Sequence, residues 1–237
     1  MVFQKDEFMR TTTLTGGSGL FCYPIWLWGL SVFFLSTGCQ GLYYDAMEQM
    51  GYHKRDLMVS NVEKARDAQQ DAKQQFKSAL DRFTQTLNVK GGDLQDKYDI
   101  LNAEYEQSAE KAQAVRDRIA SVEDVSAALF EEWEAELKEY SSASLRQNSQ
   151  KKLTQTRAQY AQLIKAMKRA ETKMDPVLAK FKDQVLYLKH NLNAQAIASL
   201  KSELSTVEGN IATLIKDMEH SIKEADAFIS TMARDNS

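Results

Sequence analysis

Residues 176–232 read PVLAKFKDQVLYLKHNLNAQAIASLKSELSTVEGNIATLIKDMEHSIKEADAFISTM. Apolar residues recur at Val177, Phe181, Val185, Leu188, Leu192, Ala196 and Leu200. They continue at Leu204, Val207, Ile211, Leu214, Met218, Ile222, Ala225 and Ile229. The steps are threes and fours, which trace one face of an α-helix. Their mean is about 3.7 residues, nearer an eleven-residue repeat than a heptad, so a straight or slightly right-handed packing seam is expected. This pattern predicts a single helix over residues 176 to about 232, on the order of 80 Å long at about 1.5 Å per residue. A compact globule of 237 residues has no room to bury such a helix along its length, so the body is expected to be elongated.

The rest of the chain follows the same logic. Beyond Gly51 the glycines are Gly91, Gly92 and Gly209, and the one proline is Pro176. Strands need frequent turns, and turns draw on these two residues, so a long stretch this poor in them has to be helical. A first helix is predicted over residues 45–87, with its seam at Met58, Val62, Ala65, Ala72, Phe76, Leu80, Phe83 and Leu87. Asn88, Gly91 and Gly92 end it, and Asp93 is an N-cap for the next helix.

The second seam runs through Leu94, Tyr98, Leu101, Tyr105, Ala112, Val115, Ile119 and Val122, then Val125, Leu129, Trp133, Leu137 and Tyr140. Its first part has the spacing of a left-handed coiled coil. Ser121 with Asp124 resembles a capping box, so a kink or restart is allowed there. Residues 141–144 form the next turn, and a third helix covers residues 145–174 through Leu153, Tyr160, Ile164 and Met167. Asp175-Pro176 reads as an N-cap with proline at the first helical position, a break in preference to a kink. The fold class expected is all-α: an elongated antiparallel helical bundle or coiled coil of three to four long helices.

The N-terminus carries a different signal. Residues 20–35, LFCYPIWLWGLSVFFL, lack any charge and follow Lys5 and Arg10. This run is near signal-peptide length and short of the roughly 20 residues that span a membrane. Ser36, Thr37, Gly38 and Cys39 come next and resemble a bacterial lipobox, although Ser36 stands where leucine is usual. The division expected is a signal peptide with lipobox over residues 1–38, a lipidated tether over 39–56, and a helical coiled-coil domain over 57–237. Acylation at Cys39 would anchor the chain in membrane lipid, with each buried CH₂ contributing about 0.8 kcal/mol. In the sorting pattern of such lipoproteins, Gln40 in place of aspartate implies the outer membrane, with the body in the periplasm. The alternative is an uncleaved signal anchor in the inner membrane. Cys22 lies inside the apolar run, so a processed chain retains Cys39 alone and no internal disulfide is expected.

Charged residues make up 27% of the chain at a net charge of −3, and loss of residues 1–38 leaves that net charge unchanged. A weakly acidic, mixed surface gives no reason to expect nucleic acid as a partner. His53, His190 and His220 are widely separated, so no metal site is expected, and no cofactor loop or nucleophile motif is present. An enzyme is therefore not expected. Two polar clusters are candidates for interaction. His53, Lys54, Arg55 and Asp56 follow the aromatic Tyr43, Tyr44 and Tyr52; they read equally as a headgroup-level contact or as tether and first helical turn. Lys189, His190, Asn191 and Asn193 crowd polar groups into the middle of the expected last helix, as a register-setting layer or a partner patch.

Several strings carry a family resemblance. Tyr44-Asp45-Ala46-Met47-Glu48, Gly51 and His53-Lys54-Arg55-Asp56 are one group. Others are Ala65-Arg66-Asp67-Ala68-Gln69, Gln75-Phe76-Lys77-Ser78-Ala79-Leu80 and Leu129-Phe130-Glu131-Glu132-Trp133. The most specific is Val185-Leu186-Tyr187-Leu188-Lys189-His190-Asn191-Leu192-Asn193-Ala194. Over nearly the whole mature length the chain resembles the bacterial domain of unknown function 2959 family. The resemblance implies a Gram-negative lipoprotein and carries over no catalytic residue. The role expected is structural or interactive: a helical body that docks a protein partner, itself or the cell wall. A membrane-shaping coiled coil of the BAR type is the alternative, and it requires a basic concave face that the interspersed charges do not supply.

Overall fold

The computed structural model describes residues 53–89 and 91–234. The expected signal segment, Cys39 and most of the tether lie outside the described residues. Among the described residues four helices follow one another: α1 (Lys54–Asn88), α2 (Leu94–Glu136), α3 (Ala143–His190) and α4 (Ala194–Arg234). Each packs on the next, and α4 returns to α1. Cross-helix ion pairs give the directions. Asp71 pairs with Lys111 and Lys54 with Glu132, so residue numbers rise on α1 as they fall on α2. Arg116–Asp175 with Arg157–Glu134, and Arg66–Asp226 with Lys73–Glu219, repeat that relation for α2 with α3 and for α1 with α4. The result is an up-down-up-down antiparallel four-helix bundle.

Two apolar clusters fill it. The larger runs from Met58 and Met232 through Phe76, Ile119, Met167 and Leu214. The smaller joins Phe83, Leu87, Leu101, Val185, Leu188, Ala196 and Leu200 at the end where α1 meets α2 and α3 meets α4. This is the far end of the bundle. The opposite, entry end holds the start of α1, the α2–α3 turn and the end of α4.

Local chemistry explains the turns. Gly91 and Gly92 have φ of 75° and 84°, a left-handed backbone that favours glycine and reverses the chain after α1. Asp93 then accepts a hydrogen bond from Gln95 N at 2.8 Å and caps α2. Ser142 caps α3 by accepting from Leu145 N at 3.4 Å.

The structure corrects four expectations. The first helix does not run into Lys54 from residue 45, because His53 is extended; residues 45–52 lie outside the described residues. α2 passes Ser121 unbroken, and the Ser121 hydroxyl donates back to Asp117 O instead of capping. α3 also passes Asp175-Pro176 unbroken. There the Asp175 carboxylate is held by Arg116, and Met174, Val177 and Phe181 are buried on both sides of the proline, so the core keeps the helix continuous.

The break falls instead at residues 191–193, so no single helix covers residues 176–232. Asn191 Nδ2 donates to Tyr187 O at 2.9 Å, and Asn193 Oδ1 accepts from Ala196 N at 2.9 Å. The two asparagines close one helix and open the next. The longest helix is α3, whose 48 residues span about 70 Å, not the expected 80 Å helix at the C-terminal end.

Polar residues fill two gaps in the seams. The α1 seam jumps seven residues from Ala65 to Ala72, and fully buried Gln69 sits between; the α2 seam jumps from Tyr105 to Ala112 across fully buried Ser108. Ser108 satisfies its hydroxyl on Glu104 O at 2.7 Å. Gln69 Oε1 accepts from buried Ser221 Oγ of α4 at 2.7 Å, while Gln69 Nε2 has no hydrogen-bond partner. A buried unmet donor costs about 1–3 kcal/mol. Gln69→Leu with Ser221→Ala is therefore expected to match or exceed the parent stability. Ser221→Ala alone, which strands both ends of the amide, should lose about 1–2 kcal/mol in urea unfolding. A double variant less stable than the single one would overturn this account.

Candidate interaction surfaces

The first polar cluster is built into the entry end. His53 is exposed, and its carbonyl accepts from Asp56 N and Leu57 N to start α1. Lys54 is buried, with its ammonium 3.0 Å from Glu132 Oε1 of α2. Arg55 reaches across to Met232 O of α4 at 3.2 Å. Asp56 is exposed in the first turn, where the helix dipole favours a negative charge. Lys54 and Arg55 thus tie three helices together, and neither stands out as a loose basic patch.

Beside them the α2–α3 hairpin has its own small cluster. Tyr160 meets the Phe130 ring edge-on with centroids 5.5 Å apart, and the Arg157 guanidinium lies 5.1 Å over that ring. Trp133 Nε1 donates to Ser149 Oγ at 2.8 Å. The hydrogen bond from Arg157, followed by its charge, holds the Glu134 carboxyl below the usual glutamate range. A depressed carboxyl pKa favours the fold above the ordinary value, and that contribution is lost as pH falls through the folded value. Because Glu134 is solvent-exposed, the effect on stability is small and best read at the residue itself. Arg157→Gln is expected to move the Glu134 carboxyl titration upward in an NMR pH series. An unmoved titration would remove the pairing from consideration.

The second polar cluster lies at the far end. Asn191 and Asn193 are spent on the α3–α4 turn, whereas Lys189 and His190 are exposed in the last turn of α3. Around them lie features that the sequence reading did not select. Among the described residues, five of the seven exposed large apolar side chains are at this end: Val89 at 59%, Ile100, Leu186, Tyr187 and Leu192. Tyr140 and Leu145, at the α2–α3 turn, are the other two.

An open groove of about 410 Å³ runs between α3 and α4, lined by Gln184, Tyr187 and Leu200 with Lys180, Asp183 and Glu203 at its margins. Two more hollows flank the α1–α2 turn and share Val89, Gly92 and Lys97; one of them reaches Ile197 and Lys201 of α4. Gln184 is buried, and its Oε1 has no hydrogen-bond partner. The available sequence signal was an apolar stripe too wide for one seam: Ile100 adjoins Leu101, and Leu186 and Tyr187 fill the space between Val185 and Leu188.

The fold and its surfaces define an all-α bundle with ion pairs between neighbouring helices and with five of the seven exposed large apolar side chains, among the described residues, at one end. Among the described residues, no three His, Cys, Asp or Glu residues converge as metal ligands, and no helix is long and apolar enough to cross a membrane. The chain belongs to the family described as protein of unknown function (DUF2959), whose model matches residues 43–232. No curated protein and no solved structure matches it.

Proposed function

We propose that this protein is a lipid-anchored component of the bacterial cell envelope, a non-catalytic helical body that presents a docking surface away from its membrane. The carrying observation is the polarity of the bundle. α1 starts at one end, and five of the seven exposed large apolar side chains among the described residues lie at the other, about 50 Å away along the 35 residues of α1. On this reading the signal segment directs export and Cys39 is acylated with palmitate-type chains. Gln40 directs the product to the outer membrane, and the bundle extends into the periplasm. Docking is favoured over membrane shaping because cations and anions interleave along the shaft and several are paired: Lys73 faces Glu219, Lys111 faces Asp71 and Lys168 faces Glu123. A shaft charged in this way attracts anionic lipid weakly.

Mass spectrometry of the chain isolated from envelopes tests the anchor. The expected product begins at a triacylated Cys39. A chain that retains residues 1–38 with an unmodified Cys39 would overturn the lipoprotein reading and leave a signal anchor in the inner membrane. Cys39→Ser should abolish acylation and shift the chain out of the outer-membrane fraction.

A further inference from the structure

The far end carries both signs of charge, aspartates at the start of α2 and lysines on α3 and α4, of which Lys201 also borders the hollow beside the α1–α2 turn. At the start of α2, residues 93–99 hold exposed Asp93, Asp96 and Asp99. The one cation in that stretch, Lys97, is buried with its ammonium on Val89 O at 2.7 Å. At the α3–α4 corner, exposed Lys180, Lys182, Lys189 and Lys201 outnumber Asp183 and Glu203. Helix dipoles account for aspartates opening α2 and for Lys189 closing α3. They do not account for Lys201, two turns into α4 near its positive end, nor for Lys180 and Lys182.

Along the shaft some lysines and arginines pair with carboxylates of the neighbouring helix, as at Arg66–Asp226 and Arg169–Asp217, while others, such as exposed Lys64 and Lys216, do not. Asp93, Asp96, Asp99, Lys180, Lys182, Lys189 and Lys201 form no ion pair with another described residue. Exposed Val89 borders the α1–α2 turn, exposed Tyr187 and Leu192 lie on the α3–α4 side, and the unmet Gln184 Oε1 sits in the groove wall.

A surface that carries an aspartate cluster, a lysine cluster and exposed apolar side chains is complementary to its own copy. A two-fold axis sets each acidic corner against the other copy's basic corner, and both contacts form at once. We propose that the far end is a self-association surface through which two copies of this chain meet end to end. The aspartates of α2 in one copy face the lysines of the α3–α4 corner in the other. This deepens the docking half of the function proposed above by naming the occupant as a second copy. The end of a four-helix bundle is narrow, so the contact falls at the weak, small end of the interface range. Anchoring both copies raises their local concentration and lets a weak contact operate.

The test uses the full chain in detergent micelles, with sedimentation velocity across a concentration series. A monomer–dimer equilibrium is expected, weakened about tenfold as salt rises from roughly 50 to 300 mM, because the charges are exposed. Two charge-reversed chains make the test specific: K189E/K201E, acidic at both corners, and D96K/D99K, basic at both. Each alone should be monomeric with unchanged helical circular dichroism, and an equimolar mixture should dimerise. A parent chain that stays monomeric throughout would overturn self-association and leave the surface to a different protein, with the acylation result standing independently. A dimer indifferent to salt and to both reversals would overturn the assigned surface.

Discussion

Phe181→Ala is expected to lower stability by about 3–5 kcal/mol, the range for truncating a buried phenylalanine. Phe181 of α3 is 1% exposed and stacks on Phe83 of α1, with ring centroids 5.7 Å apart and planes 3° from parallel. Those helices face each other across the bundle diagonal, and Phe181 belongs to the larger cluster while Phe83 belongs to the smaller. The stack therefore joins the two cores. Its loss opens a cavity at the junction, beyond which six buried apolar residues besides Phe83 hold the far end. Two measurements check this: the urea midpoint, and hydrogen exchange resolved along the chain. Amides in residues 185–200 should lose more protection than those in residues 58–76. Equal loss in both segments would show that the far end is not a separate, weaker unit. Leu186→Ala serves as the control, since exposed Leu186 should change stability by less than about 0.5 kcal/mol.

The seams were legible because burial in a bundle is periodic and the apolar residues follow it. Met58, Val62, Phe76, Val115, Ile119, Ile211 and Leu214, all seam positions, are all fully buried or within 1% of it. Periodicity says nothing about where a seam changes helix. Leu188, Leu192 and Ala196 keep the four-residue step straight through the α3–α4 turn, yet Leu192 is exposed. The deciding information lay in the asparagines on either side of it, whose side chains compete with the helix for backbone groups. Their crowding was read as a polar layer within a helix. At Asp175-Pro176 the error ran the other way, because a strong local signal for a helix start was overridden by burial on both sides.

The candidate surface was harder to read, because it depends on which residues the topology brings to one end. Val89 and Leu192 stand 103 positions apart in the chain, and only the antiparallel order of the helices puts both at the far end. The cluster at His53, Lys54, Arg55 and Asp56 looked like a patch in sequence, but its long cations reach other helices. Lys189 and His190, expected in the middle of a helix as a register-setting layer or a partner patch, stand exposed in the last turn of α3.

Pro176→Ala is expected to raise stability by about 1–2 kcal/mol. Proline inside a helix costs about 3 kcal/mol relative to alanine, since it has no N–H for the fourth residue back and its ring crowds that carbonyl. Here the carbonyl is that of Thr172, and both Thr172 and Pro176 are exposed, so water serves the unmet acceptor and part of the cost is already relieved. Alanine restores the hydrogen bond without touching the Arg116–Asp175 pair or the buried Met174 and Val177. The outcome separates two structures. Proline at the first position of a new helix is close to optimal, and alanine there gains nothing. A rise in the urea midpoint with unchanged slope therefore supports a continuous α3. An unchanged or lower midpoint would place a helix start at residue 176 after all.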